Sequence, residues 1–121
     1  MSSWDYFVGF EREPKDLDDF LKSRGYAEIP RGSKDKSVRN FESRKGGLID
    51  LAYYLKEKKV EEGEVPDWSK SPREITSALM IWTKEIKAVD RAKRLRNALI
   101  RKYDGIIYDP YSDKFFGKDR I

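Results

Sequence analysis

The chain has 121 residues, with 26 Lys and Arg against 22 Asp and Glu, a formal charge of +4, and neither cysteine nor histidine. Without cysteine there are no disulfides, thiolate metal sites or thiol nucleophiles; without histidine, serine–histidine and cysteine–histidine catalysis and imidazole ligation are excluded too. The length fits one domain, residues 1–121, able to bury enough surface to fold unaided, and three Trp, seven Tyr and six Phe supply an aromatic core under a skin in which 40% of all residues are charged.

The opening run Met1-Ser2-Ser3-Trp4-Asp5 has neither a basic start nor an apolar stretch, and nothing further along approaches membrane-spanning length. No signal peptide and no membrane partner are expected, with a cytoplasmic location as the default. Trp4, Tyr6, Val8 and Phe10 then alternate with Asp5, Phe7, Gly9 and Glu11, the period of two that marks a half-buried strand. Pro14 opens a helix with Leu17, Phe20 and Leu21 on one face, Asp16, Asp18 and Asp19 near its positive end, and Gly25 as its stop.

Ala27 to Lys36 has the Pro, Gly, Ser, Lys and Asp content of a loop, and Val38 to Ser43 offers a short polar strand. Lys45-Gly46-Gly47 turns that strand into Leu48 to Lys56, where Ile49, Leu51, Tyr53 and Leu55 form the next buried face. Glu57 to Pro72 reads as an exposed loop that Val65 and Trp68 pin down. Ile75 to Thr83 is rich in bulky apolar residues and is predicted as a strand covered on both faces, with a helix starting at Ser71-Pro72 left open as the alternative.

Ile86 to Tyr103 predicts an amphipathic helix. Ala88, Val89, Ala92, Leu95, Leu99, Ile100 and Tyr103 fall in one arc, with Lys87, Arg91, Arg94, Arg101 and Lys102 opposite. Between Lys84 and Lys102 eight basic and two acidic residues give a local charge of +6, more than the whole chain carries. Arg96 is the exception, a cation inside the apolar arc, where an unpaired guanidinium is costly. It reads either as an anion receptor in a partly buried pocket, or as a structural residue that pairs with Asp50 or Glu42 or extends to the rim with its stem packed.

The helix exits through Asp104-Gly105-Ile106-Ile107-Tyr108-Asp109-Pro110 into a closing hairpin around Phe115-Phe116. This run resembles the ending of small uncharacterised α+β proteins in which a final helix enters a Gly-apolar-apolar-x-Asp-Pro strand. The resemblance covers roughly the last 35 residues, types that helix exit, strand and turn also favour on physical grounds, and it implies no activity. The order β-α-β-β-β-α-β-β implies an α+β fold, a mostly antiparallel sheet with two helices on one face. The order can also be read as two divergent copies of one β-α-β-β unit.

Asp104, Asp109 and Asp113 gather near the closing hairpin, but Asp-Gly and Asp-Pro steps are ordinary turn chemistry and no metal site is assigned to them. Pro66-Asp67 followed by Glu85-Ile86-Lys87 follows the order of the PD-(D/E)xK nucleases, in which two acids hold a metal and a lysine steadies the attacking water. Here the second acid and the lysine fall at a strand-to-helix boundary. No catalytic residue and no cofactor are assigned. The chain is therefore expected to be a small non-enzymatic interaction domain binding a protein partner or a second copy of itself. The alternatives are a nucleic-acid-binding module using the basic helix 86–103, and a metal-dependent nuclease through Asp67, Glu85 and Lys87.

Overall fold

The computed structural model of the chain describes residues 3–30, 38–56 and 66–121. Its elements are β1 (Trp4–Phe10), α1 (Leu17–Ser23), β2 (Ala27–Ile29), β3 (Arg39–Ser43), β4 (Ile49–Leu55), β5 (Ser77–Thr83), α2 (Val89–Tyr103), β6 (Ile106–Asp109) and β7 (Lys114–Phe116). The seven strands form one sheet in the order β2-β3-β4-β5-β1-β6-β7, with every neighbouring pair antiparallel. This is the expected α+β fold with one strand added. Ala27–Ile29 pairs with β3 at the sheet edge, and because Ala27 and Glu28 stay exposed, no buried face marks the strand in the sequence. Positions 31–36 of the expected loop, and Val65, lie outside the described residues.

Residues 75–83 resolve in favour of the strand. β5 lies between β4 and β1, and an interior strand is covered on both faces: Leu79 and Ile81 join the helix side, while Ala78 and Met80 join the other. That is why its sequence shows a continuous apolar run rather than alternation.

Both helices lie on one face. α1 buries Leu17 and Leu21, and α2 buries Ala92, Leu95, Leu99 and Ile100, against Val8, Phe10, Leu51, Leu79 and Ile81 of the sheet. Full burial of a leucine contributes about 1.5–3 kcal/mol, so these two stripes are enough to fix the helices. α2 begins three residues later than its periodicity suggests, because Ile86–Ala88 form a tighter 3-10 turn that leaves Ile86 78% exposed. The helices also end differently. Gly25 takes the left-handed conformation after α1 (φ 87°), whereas after α2 it is Asp104, not Gly105, that does so (φ 51°).

Between the helices Tyr103 Oη donates to Asp16 Oδ1 at 2.8 Å, and Lys102 Nζ lies 3.3 Å from Asp16 Oδ2. The Tyr103 hydroxyl is the main reason the Asp16 carboxyl sits below its ordinary value of 3.8, with Lys102 adding to the effect. A depressed acid stabilises the fold fully above its unfolded pKa, and the contribution disappears as pH falls through the lower, folded value. Tyr103→Phe should therefore flatten the acid limb of the stability curve, read as urea midpoints from about pH 5 down to about pH 2; an unchanged limb would show that the pair contributes nothing.

Among the described residues the opposite face is only partly covered. Trp68, in a single 3-10 turn, folds back over Gly9 and joins Phe7, Tyr54, Ile75, Ala78, Met80 and Ile106 in a second core. β1 is therefore buried on both sides toward its C-terminal end, more than its alternation suggests, because a distant segment supplies the cover. The divergent-copy reading gains nothing from the strand order. The strand after α2 lands one strand away from β5, with β1 between, whereas the strand after α1 lands three strands away from β1.

Candidate functional site

On the half of the second face that no described residue covers, the register aligns four side chains in one row across the strands. Asp5 of β1 is opposite Trp82 of β5, Trp82 is opposite Asp50 of β4, and Asp50 is opposite Glu42 of β3. The next row toward the covered half is Phe7, Met80, Ala52 and Asn40, and the short Ala52 beside Met80 leaves room above it. The result is a depression of about 440 Å³ with Met80 and the half-buried Trp82 among its lining residues. Its charged lining comprises Asp5, Glu42, Asp50 and Glu85 against Arg44 and Lys84, a net of −2 in a chain of net +4.

None of these four acids is without a partner, Asp50 included. Asp5 accepts a hydrogen bond from Ser3 Oγ at 2.5 Å. Glu42 Oε1 lies 3.3 Å from Arg44 Nε, whose side chain is 75% exposed and projects from the rim. Glu85 is part of the scaffold: its carboxylate accepts from the Leu48 N–H, and Oε1 is 3.7 Å from Lys87 Nζ. Beside it Thr83 Oγ1 donates to Leu48 O at 2.7 Å and accepts from Glu85 N at 3.1 Å. Arg91 completes this clasp by donating to Gly47 O. Gly47 itself has φ 112°, and a Cβ there would come within 3.1 Å of the Ala88 side chain. The β3–β4 turn is thus fastened to the start of α2, which fixes the rim of the depression.

The basic stripe is not gathered into one surface. Arg91 is committed to Gly47, Lys87 to Glu85, and Lys102 to Asp16, with its ammonium also 5.5 Å from the Phe20 ring and 5.6 Å from the Tyr103 ring. Arg94 and Arg101 are exposed, as is Lys93, which the arc drawn from the sequence omitted; none of the three has an ion pair among the described residues.

Arg96 does not meet Asp50 or Glu42, since those lie on the opposite face of the sheet. Its guanidinium stacks 5.4 Å from the Tyr6 ring centroid, and its Nε donates to Asn97 Oδ1 at 3.0 Å. Burial lowers its pKa, opposed by Tyr6 and by Asp109. This is the extended, stem-packed arrangement, with an aromatic face where a carboxylate was expected.

The nuclease pattern is not assembled. Asp67 accepts from Ser69 N and Ser69 Oγ, which hold its carboxyl below the usual range, and it senses Lys56 just past the end of β4. Glu85 binds Leu48, just before β4 begins. A seven-residue strand separates them, about 20 Å of chain. The closing aspartates are turn residues: Asp109 accepts from Tyr111 N and Ser112 Oγ, Asp113 from Tyr108 Oη, and Asp104 pairs with Arg73 and Lys118. Among the described residues no group of three acids is placed to hold a metal ion, and no helix is long and apolar enough to cross a membrane.

Comparison of the chain with protein-family models, with curated proteins and with solved structures finds no match. The Trp82 row was the feature that sequence reasoning missed. Asp5 and Trp82 are 77 positions apart, and only the β1–β5 register makes them neighbours. The signal present in the sequence was the interruption of apolar strands by Asp5 and Asp50 at positions that alternate with the helix-facing residues.

Proposed function

We propose that the chain is a non-enzymatic interaction domain that seats a basic segment of a protein partner in the depression around Trp82, in a cytoplasmic setting. The observation that carries this reading is the half-buried indole of Trp82 in a depression whose charged lining sums to −2 in a chain of net +4. An aromatic face attracts a cation by its quadrupole, and a negative lining favours a cation there. The nucleic-acid alternative draws support from exposed Lys93, Arg94 and Arg101, but the commitment of Arg91 and Lys102 to internal partners leaves it the weaker reading.

The test is calorimetric titration with an oligo-arginine peptide, with an oligo-glutamate peptide as the opposite-charge control. Binding should weaken about tenfold in Trp82→Ala and in Asp5→Asn, while Arg94→Glu combined with Arg101→Glu should leave it unchanged. Equal affinity of the wild type and Trp82→Ala, or equal binding of the acidic peptide, would overturn the reading. Because Trp82 is only half-buried and Asp5 lies at the rim, both variants should retain cooperative unfolding, which separates lost binding from lost fold.

A further inference from the structure

We propose that the outer edge of β7 takes up an extended acidic segment of a partner protein as a further, antiparallel strand of the sheet. The site shares no lining residue with the depression around Trp82, so it does not depend on the reading given there. β7 is the last strand in the sheet order and pairs with β6 through Ile107, Tyr108 and Asp109. Among the described residues no backbone bond reaches Lys114, Phe115 or Phe116 from the other side. The side chains of the strand are largely committed to the fold: Phe116 packs against the helix-side core and Phe115 against the second core. What β7 leaves to a ligand is therefore its backbone edge, a row of N–H and C=O groups that another extended chain can satisfy.

A groove of about 460 Å³ lies along this edge. It takes in all three residues of β7, with Pro72 and with Asp119 and Arg120 of the 3-10 turn Lys118–Arg120 as further walls. Pro72 has no N–H, so that wall does not compete for the carbonyls of the edge. A helix pairs its own backbone internally and cannot use such an edge. An extended segment can, with its axis about 4.8 Å from that of β7.

Charge selects the partner. Lys114 and Arg120 are exposed, and neither has an ion pair among the described residues; with Asp119 the charged lining sums to +1. A second copy of the chain would bring the same positive lining against itself across a two-fold axis, whereas an acidic segment is complementary to it. Residues directly opposite one another lie on one face of the sheet, so a carboxylate opposite Lys114 meets its ammonium. Four positions earlier in an antiparallel partner, about 13 Å away on the same face, a second carboxylate points toward the turn that carries Arg120.

NMR titration of the labelled protein with blocked pentapeptides tests the proposal. The peptides are Glu-Thr-Val-Val-Glu, its counterpart Lys-Thr-Val-Val-Lys, and two forms of the acidic peptide, each N-methylated on one of the two alternating sets of residues. The acidic peptide should shift the amide signals of Lys114 to Gly117 and leave the Trp82 indole N–H in place. The lysine peptide should bind about tenfold more weakly, and Lys114→Glu combined with Arg120→Glu should weaken the acidic peptide by a similar factor. Both substituted residues are exposed, so an unchanged unfolding midpoint should accompany the loss. Alternate amides of a strand point to opposite sides, so one N-methylated form should lose binding and the other keep it. Equal binding of both methylated forms and their parent, equal binding of the lysine peptide, or no shift at residues 114–117 would overturn the proposal. Each of these outcomes leaves the oligo-arginine result at Trp82 untouched.

Discussion

Trp68→Ala is expected to cost about 3–5 kcal/mol, a large part of the stability of a domain this size. The indole is 3% exposed and is the buried residue of its 3-10 turn. Its ring lies so close to Gly9 that a Cβ there would come within 2.7 Å of it, and it packs against Tyr108 and Phe115 with centroids 6.5 and 5.9 Å away. Its Nε1 also donates to Tyr54 Oη at 2.9 Å. Tyr54 is fully buried, and burial pushes its pKa up to about 12, so truncation leaves a neutral hydroxyl without its donor in addition to a cavity. Urea unfolding gives the magnitude. Trp68→Phe should recover much of the packing but not the hydrogen bond, and a loss below about 1 kcal/mol for the alanine variant would mean that the indole is not the seal of this face.

Gly105→Ala is the second large effect, expected at the upper end of the range of about 1–3 kcal/mol for overpacking. A Cβ at Gly105 would lie 2.7 Å from Gly9 O and 3.4 Å from both Ile100 Cδ1 and Val8 Cγ1. The first of these is backbone of a central strand, held in place by neighbours on both sides, so it cannot swing aside as a side-chain tip could. The variant Gly25→Ala provides a calibration. There φ is 87° but nothing lies within 4 Å, so the cost is conformational alone, about 1–2 kcal/mol. Thermal or urea unfolding should rank Gly105→Ala as the more damaging; the reverse order would show that β6 can shift away from β1.

The sequence exposes the local elements because their signals are local. Alternation in Trp4–Phe10, the apolar arc of Ala92, Leu95 and Leu99, and the glycines of the β3–β4 turn each lie within a few residues and report burial directly. Ala27–Ile29 escaped because an exposed edge strand buries little. The site was less legible than the fold. The five basic residues share a helix face in projection, yet Arg91 and Lys102 are redirected by Gly47 and Asp16, partners contributed by distant segments. Glu85 looked like half of a metal site because nothing in the sequence shows that it secures Leu48 N–H. The row through Trp82 depends on the pairing of the first strand with the fifth, and register between strands so far apart leaves no trace in periodicity.

That same pairing governs when the fold can form. β1 has no hydrogen-bonded strand partner before residue 77: its neighbours are β5 and β6. This strand therefore waits for the residues between it and β5 to be made, its aromatic faces unsheltered, until Ser77–Thr83 and then Ile106–Asp109 emerge to flank it. A central strand closed by contacts of such long sequence separation places this chain among the slower folders of its size, and its dangerous interval is the one during translation, before the later partners exist.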